Sequence, residues 1–171
     1  MTRPIPKPLS PAGYFQPYID RIAESDVALV LAQQIEPSLA WFAKLPETRA
    51  THRYAPGKWS IAQVLGHLID GERIFAYRLL WMARGGPGVL TGFPQDEFVD
   101  RGGFDQRPLA DLIDEARSVR ASTLTLLAGL PELDWSTTAE VSGNQVEMAA
   151  IPWILAGHEQ HHMEVLRERY A

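Results

Sequence analysis

Apolar side chains recur every three or four residues in four separate stretches, and that spacing confines the chain to helices packed on helices. The first stretch spans much of 14–43, through Ile19, Ile22, Val27, Val30, Leu31, Ile35, Leu39 and Phe42, with a break near Ser25 and Asp26. The second, 60–84, opens on the sharpest local signal. Ser60 can accept from the free amides of a first turn, Gln63 can reach back to the Ser60 amide, and Trp59 and Val64 flank the cap as a hydrophobic staple. Gly85, Gly86, Pro87 and Gly88 end it. The third runs over 108–129, from Pro108 to Gly129, on a stripe that includes Leu112, Ile113, Ala116 and Val119. The last covers 147–169, where Pro152 imposes a bend or a late start. Between them lie connectors at 47–58 and 131–145, the second with the turn signal Ser142-Gly143-Asn144. No repeat and no strand–helix alternation is present. The expected class is all-α, an antiparallel four-helix bundle.

Residues 1–12, with prolines at 4, 6, 8 and 11, read as a flexible tail, and 13–171 as one domain. The connection from Gly85 to Arg107 is long for a compact domain and carries glycines at 85, 86, 88, 92, 102 and 103. Such a connection is expected to border a functional site and shape its pocket, with a short helix near Pro94 to Val99. A net charge of −5, with Lys and Arg scattered, argues against a nucleic-acid partner. The N-terminus lacks the apolar core of a signal peptide, and no apolar run is long enough to span a bilayer, so a cytoplasmic location is expected. The chain has no cysteine, so any metal must bind through nitrogen and oxygen.

The five histidines carry the chemistry. His158 and His162 stand one helical turn apart, on a stripe with Ile151, Leu155 and Val165, where apolar residues would otherwise face inward. That spacing lets two imidazoles reach one ion at about 2.0–2.1 Å. His161, turned about 100° from His162, should point elsewhere. His67 shares a face with Val64 and Ile74, and Gly71, a turn further on, leaves room for an ion or a ligand. Spacing alone does not bring His67 to the other two. His52, beside Arg53 in a connector, reads as a solvated loop residue.

His158-Glu159-Gln160-His161-His162 matches the H-E-x-x-H metalloprotease pattern, in which Glu159 would activate water. The match fails on its third ligand. Val165 and Glu168 stand where the extended motif needs glycine and histidine, and Glu164 and Glu168 share the helix and cannot close a tetrahedron. A third ligand has to come from upstream.

Two segments together resemble a known family. Gly57-Lys58-Trp59-Ser60 followed by His67-Leu68, and the closing Gly157-His158-Glu159-Gln160-His161-His162, are similar to the paired motifs of the DinB-like (YfiT-like) metalloenzyme superfamily. The resemblance implies an up-down-down-up four-helix bundle with a metal at one end. It carries the three ligand positions over to His67, His158 and His162. It implies a divalent ion, zinc or nickel foremost, with iron or copper also compatible with imidazole. Characterised members are thiol-dependent isomerases and S-transferases, and relatives are often dimers. On this reading a low-molecular-weight thiol, held by the metal, attacks a small electrophile under the Gly85–Arg107 loop. Arg53, Arg73, Arg78 and Arg84 are the candidates to hold a carboxylate of the cofactor. The alternatives are a metal-dependent hydrolase and a non-catalytic metal-binding stress protein. Trp41, Trp81, Trp135, Phe93 and Phe98 are expected to furnish an exposed apolar patch for a homodimer.

Overall fold

The computed structural model describes residues 4–170. Four long helices form the body: α2 (Val27–Ala43), α3 (Ile61–Ala83), α5 (Leu109–Ala128) and α6 (Ala150–Arg169). Two short ones join them, α1 (Gln16–Ile19) and α4 (Gln95–Arg101). The main contacts run α3–α5, α2–α5, α3–α6 and α2–α6, so α2 lies diagonally across from α3 and α5 from α6. No helix among the described residues is long and apolar enough to cross a membrane.

Local chemistry accounts for the helix starts. Ser60 Oγ accepts from the Gln63 amide at 3.0 Å and Gln63 Oε1 accepts from the Ser60 amide at 2.9 Å, completing the expected capping box. The break near Ser25 and Asp26 is complete: Asp26 caps α2 by accepting from the Leu29 amide at 3.1 Å, and α1 is a separate turn. Pro152 occupies the first turn of α6, where no intrahelical donor is lost.

Three expectations need correction. The fold is not purely helical. Residues 138–147 form a hairpin of β1 (Thr138–Val141) and β2 (Asn144–Glu147), paired antiparallel with Val141 opposite Asn144. Ser142 and Gly143 turn it at φ of 52° and 77°, the left-handed pair that a two-residue turn requires. Consequently α6 starts at Ala150 and not at Glu147. The aromatic patch is also reduced: only Phe98 is exposed, while Trp41, Trp81, Trp135 and Phe93 are half-buried. Residues 4–12, read from sequence as part of a tail, lie against the body. Ile5 and Ala12 are buried, Pro6 accepts from the Trp153 indole at 3.0 Å, and the Glu147 carboxylate accepts from the amides of Leu9 and Ser10 at 3.0 and 2.8 Å.

The core is divided. One apolar cluster gathers Val27, Leu31, Phe75, Leu79 and residues 150–156 of α6; the other gathers Leu39, Phe42, residues 61–69 of α3, Leu112 and Leu166. Between them each of the four long helices contributes polar side chains: Gln34 and Ser38 from α2, Glu72 from α3, Arg120 from α5, and His158 and Glu159 from α6. Buried polar groups persist only where they satisfy one another, and this layer is where the site lies.

Candidate metal centre

Helices α3 and α6 supply the three histidines. His67 is buried in the second turn of α3, His158 is buried in mid-α6, and His162 is half-buried one turn on. The Nε2 of His158 lies 3.0 Å from that of His67 and 3.1 Å from that of His162. One nitrogen from each ring falls within 4.8 Å of the others. Three nitrogens bound to one ion at about 2.1 Å in a tetrahedron stand roughly 3.4 Å apart, so the cluster has the spacing that a shared ion requires. The site lies along the α3–α6 seam, and α6 continues about two turns past His162; it does not sit at the terminus of that helix.

Burial keeps the rings neutral, the form with a free lone pair. It pushes the His67 pKa down to about 4. It pushes His162 down to about 3, helped by His67 and His161. His158 falls well below its ordinary value, from burial first and then from His162, His67 and His161. Two neighbours shape the pocket around the rings. Trp59 covers one side, its ring 4.7 Å from His67 and stacked at 6.4 Å on His162. Gly71 opens the other, since a Cβ there would stand 3.3 Å from His158 Cε1. Gly157 lets α1 approach next to the site: a Cβ at that position would meet the Tyr18 carbonyl oxygen at 1.9 Å. Tyr18 in turn packs edge-on against the His158 ring at 5.4 Å.

These depressed values predict a pH dependence for metal-free protein. The unfolded chain, near 6.5, binds more protons than the folded one in the window from about 6.5 to 3. Stability is therefore complete above 6.5 and is lost as pH falls through that window. At about 1.4 kcal/mol per pKa unit, the loss amounts to several kcal/mol. Urea titrations of chelator-treated protein at pH 7 and pH 4.5 should show it, and the difference should shrink in His67→Gln. An unchanged difference in that variant counts against the assignment.

The remaining candidates separate cleanly. His161 turns away from the cluster and its Nδ1 meets Arg21 Nη2 at 3.1 Å. His52 is exposed. Glu159, the acid of the rejected protease pattern, is buried and turned about 100° around α6 from His158. Its carboxylate accepts from Ser38 Oγ at 2.6 Å, Gln34 Nε2 at 2.7 Å and Arg120 Nη2 at 2.7 Å. Arg120 also forks onto Glu72 at 2.7 and 2.8 Å and donates to the Leu31 carbonyl at 2.8 Å. Sequence reading missed this network. An arginine on the inward stripe of α5, at Val119-Arg120 followed by Thr123, was the available signal.

A cleft of about 520 Å³ opens from His67 and His158 along α3. Gly92 to Glu97 of the long connection form one wall, Tyr14 to Tyr18 contribute another, and Phe75 and Arg78 line it further along α3. The long connection does border the site, as its length and glycines suggested. Of the four arginines only Arg78 lines the cleft. Arg53 pairs with Asp105 at 2.6 Å, Arg73 pairs with Glu115 at 2.6 Å, and Arg84 is exposed.

Residues 31–166 match the model of the DinB superfamily, and the chain belongs to that superfamily. Its fold is similar to that of YfiT from Bacillus subtilis, described as a probable metal-dependent hydrolase with an unusual four-helix bundle topology. The TM-score is 0.72 at 13% identity, over 86% of this chain and 89% of that one. It is also similar to a mycothiol-dependent maleylpyruvate isomerase, with a TM-score of 0.70 at 10% identity, over 85% of this chain and 61% of the other. No curated protein matches the sequence closely enough to lend it an activity.

Proposed function

We propose that His67, His158 and His162 hold one divalent ion, zinc or nickel foremost, and that the protein is a metal-dependent enzyme using a low-molecular-weight thiol as a transferase or isomerase. The observation that carries this is the convergence of three neutral Nε2 atoms at ion-sharing distance beside an open cleft. An ion bound there supplies Lewis acidity that lowers the pKa of a coordinated thiol or water. The chain's own residues do the rest. The imidazoles fix the reacting centre. Trp59 and Tyr18 screen it from bulk water, and residues 92–97 enclose the substrate. Lacking cysteine, the protein relies on an external thiol. The same thiol use by the similar isomerase supports the reading. So does the engagement of Glu159 with Arg120, which leaves that carboxylate unable to serve as a base for water.

A hydrolase is the second reading. It is favoured by Asp96 and Glu97 on the cleft wall and by the likeness to YfiT. With the primary reading go an up-down-down-up helix order, a cytoplasmic location, a homodimeric state and a small-molecule substrate. Elemental analysis of purified protein should find about one divalent ion per chain, and a turnover screen pairing thiols with small electrophiles should give activity that chelation abolishes. Metal-dependent ester or amide cleavage without thiol turnover would select the hydrolase. Metal without turnover in either screen would leave a binding protein.

A further inference from the structure

Arg78 is the feature of the cleft that the metal chemistry does not use. It is 2% exposed, yet among the described residues no carboxylate pairs with it. Only Nη2 is engaged, donating to the Thr91 carbonyl and to Ser142 Oγ, both at 2.9 Å. Nε and Nη1 have no protein acceptor among the described residues, and the guanidinium lies over the Phe75 ring at 5.0 Å. Burying a cation without a counter-charge is costly, and a planar guanidinium with an unused edge is the geometry that receives a carboxylate.

Its position relative to the histidines defines a ligand. His67, Gly71, Phe75 and Arg78 follow one face of α3, and His67, Phe75, Arg78 and His158 line one cleft. Phe75 lies 6.4 Å from the His158 ring, so Arg78 stands within about 11 Å of the imidazole cluster. The floor between is the bare backbone of Gly71 and the Phe75 ring, faced by Phe15 at 5.7 Å. Asp96 and Glu97 on the opposite wall disfavour a multiply charged ligand.

We propose that Arg78 is the substrate-binding residue for the carboxylate of a small monoanion, whose apolar middle lies over Gly71 and Phe75 and whose reacting group reaches the three histidines. The assignment rests on the proposed metal site only for the last of these contacts. Arg78 recognises the anion whether or not an ion is present.

Titration calorimetry with 6-mercaptohexanoate and 6-mercaptohexan-1-ol, on metal-free and metal-loaded protein, separates the two claims. The acid should bind at least tenfold more tightly than the alcohol in both forms. Arg78→Gln should bring that ratio to near one, and Arg78→Lys should keep part of it. The contribution of metal to the affinity of either thiol reports the histidine site independently. Should metal add nothing while the acid keeps its preference, the metal reading fails and the Arg78 assignment stands. Equal affinity of acid and alcohol for the wild-type protein, or no measurable binding of the acid, overturns the assignment. That comparison needs no variant, so a folding defect in Arg78→Gln cannot obscure it.

Discussion

Alanine at His158 is expected to abolish metal retention. The His158 Nε2 is the central atom of the cluster, 3.0 and 3.1 Å from its two partners, so its loss leaves two imidazoles that no longer share a neighbour. Affinity should fall roughly 100-fold or more, since even outer-sphere changes at metal sites cost about 10–100-fold. After dialysis, occupancy should drop from near one ion per chain to a small fraction. His67→Ala and His162→Ala should behave alike. The fold should survive, because a neutral ring is removed that meets Tyr18 edge-on and Phe75 at a tilt and has no buried charge to leave behind. His158→Gln, closer in volume, checks that point. His161→Ala and His52→Ala should retain the ion, because one ring faces Arg21 and the other solvent. Full metal content in all three ligand variants would reduce the cluster to a packing feature.

The largest stability effect should come from Arg120→Met. Among the described residues Arg120 is the only cation that Glu72 and Glu159 share, and all three are buried. Removing it strands two carboxylates in the core, which costs about 3–5 kcal/mol for a broken buried pair. For a chain of this size that corresponds to a fall in Tm of roughly 6–20 °C. Ser38 and Gln34 still donate to Glu159, so the loss should fall short of complete unfolding. Replacing all three charged residues together, as Glu72→Leu, Arg120→Met and Glu159→Leu, should recover much of the stability, because removing a buried ion cluster whole avoids unpaired charge. Glu159→Gln keeps its hydrogen-bonding shape and should leave metal content unchanged, which separates this residue from the catalytic role of a protease-type glutamate. A loss below about 1 kcal/mol in Arg120→Met, the range of an exposed ion pair, would show that the network is not the joint between the four helices.

Two devices in this fold are local, and both could be read without a structure. The Ser60–Gln63 box and the apolar stripes of α3 and α5 act within one or two turns, so their spacing in the chain is their geometry. The same holds for the His158–His162 pair, whose one-turn separation is a property of any helix. The hairpin was less legible. Its strands are only four residues each, and a helix-dominated reading passes over so short a period even with Ser142-Gly143 between them.

His67 marks the boundary between what the chain alone determines and what packing decides. It stands 91 residues from His158, and only the seating of α3 against α6 brings their nitrogens to 3.0 Å. Family likeness could supply that pairing; spacing could not. Glu159 shows the reverse case. Its place beside His158 made it look like a metalloprotease base, but a helix turns about 100° per residue, and that turn carries its carboxylate to Arg120, Ser38 and Gln34 and away from the histidine cluster. Arg78 and Arg73 could not be ranked from sequence, since both are arginines on one helix. Their fates depend on what α5, the hairpin and residues 91–97 place in front of them. The sequence by itself determined helices, caps and the paired imidazoles, because those depend on near neighbours. The third histidine, the buried Glu72–Arg120–Glu159 joint and the setting of Arg78 in the cleft were decided by tertiary packing, because each depends on groups from separate elements meeting where water is excluded.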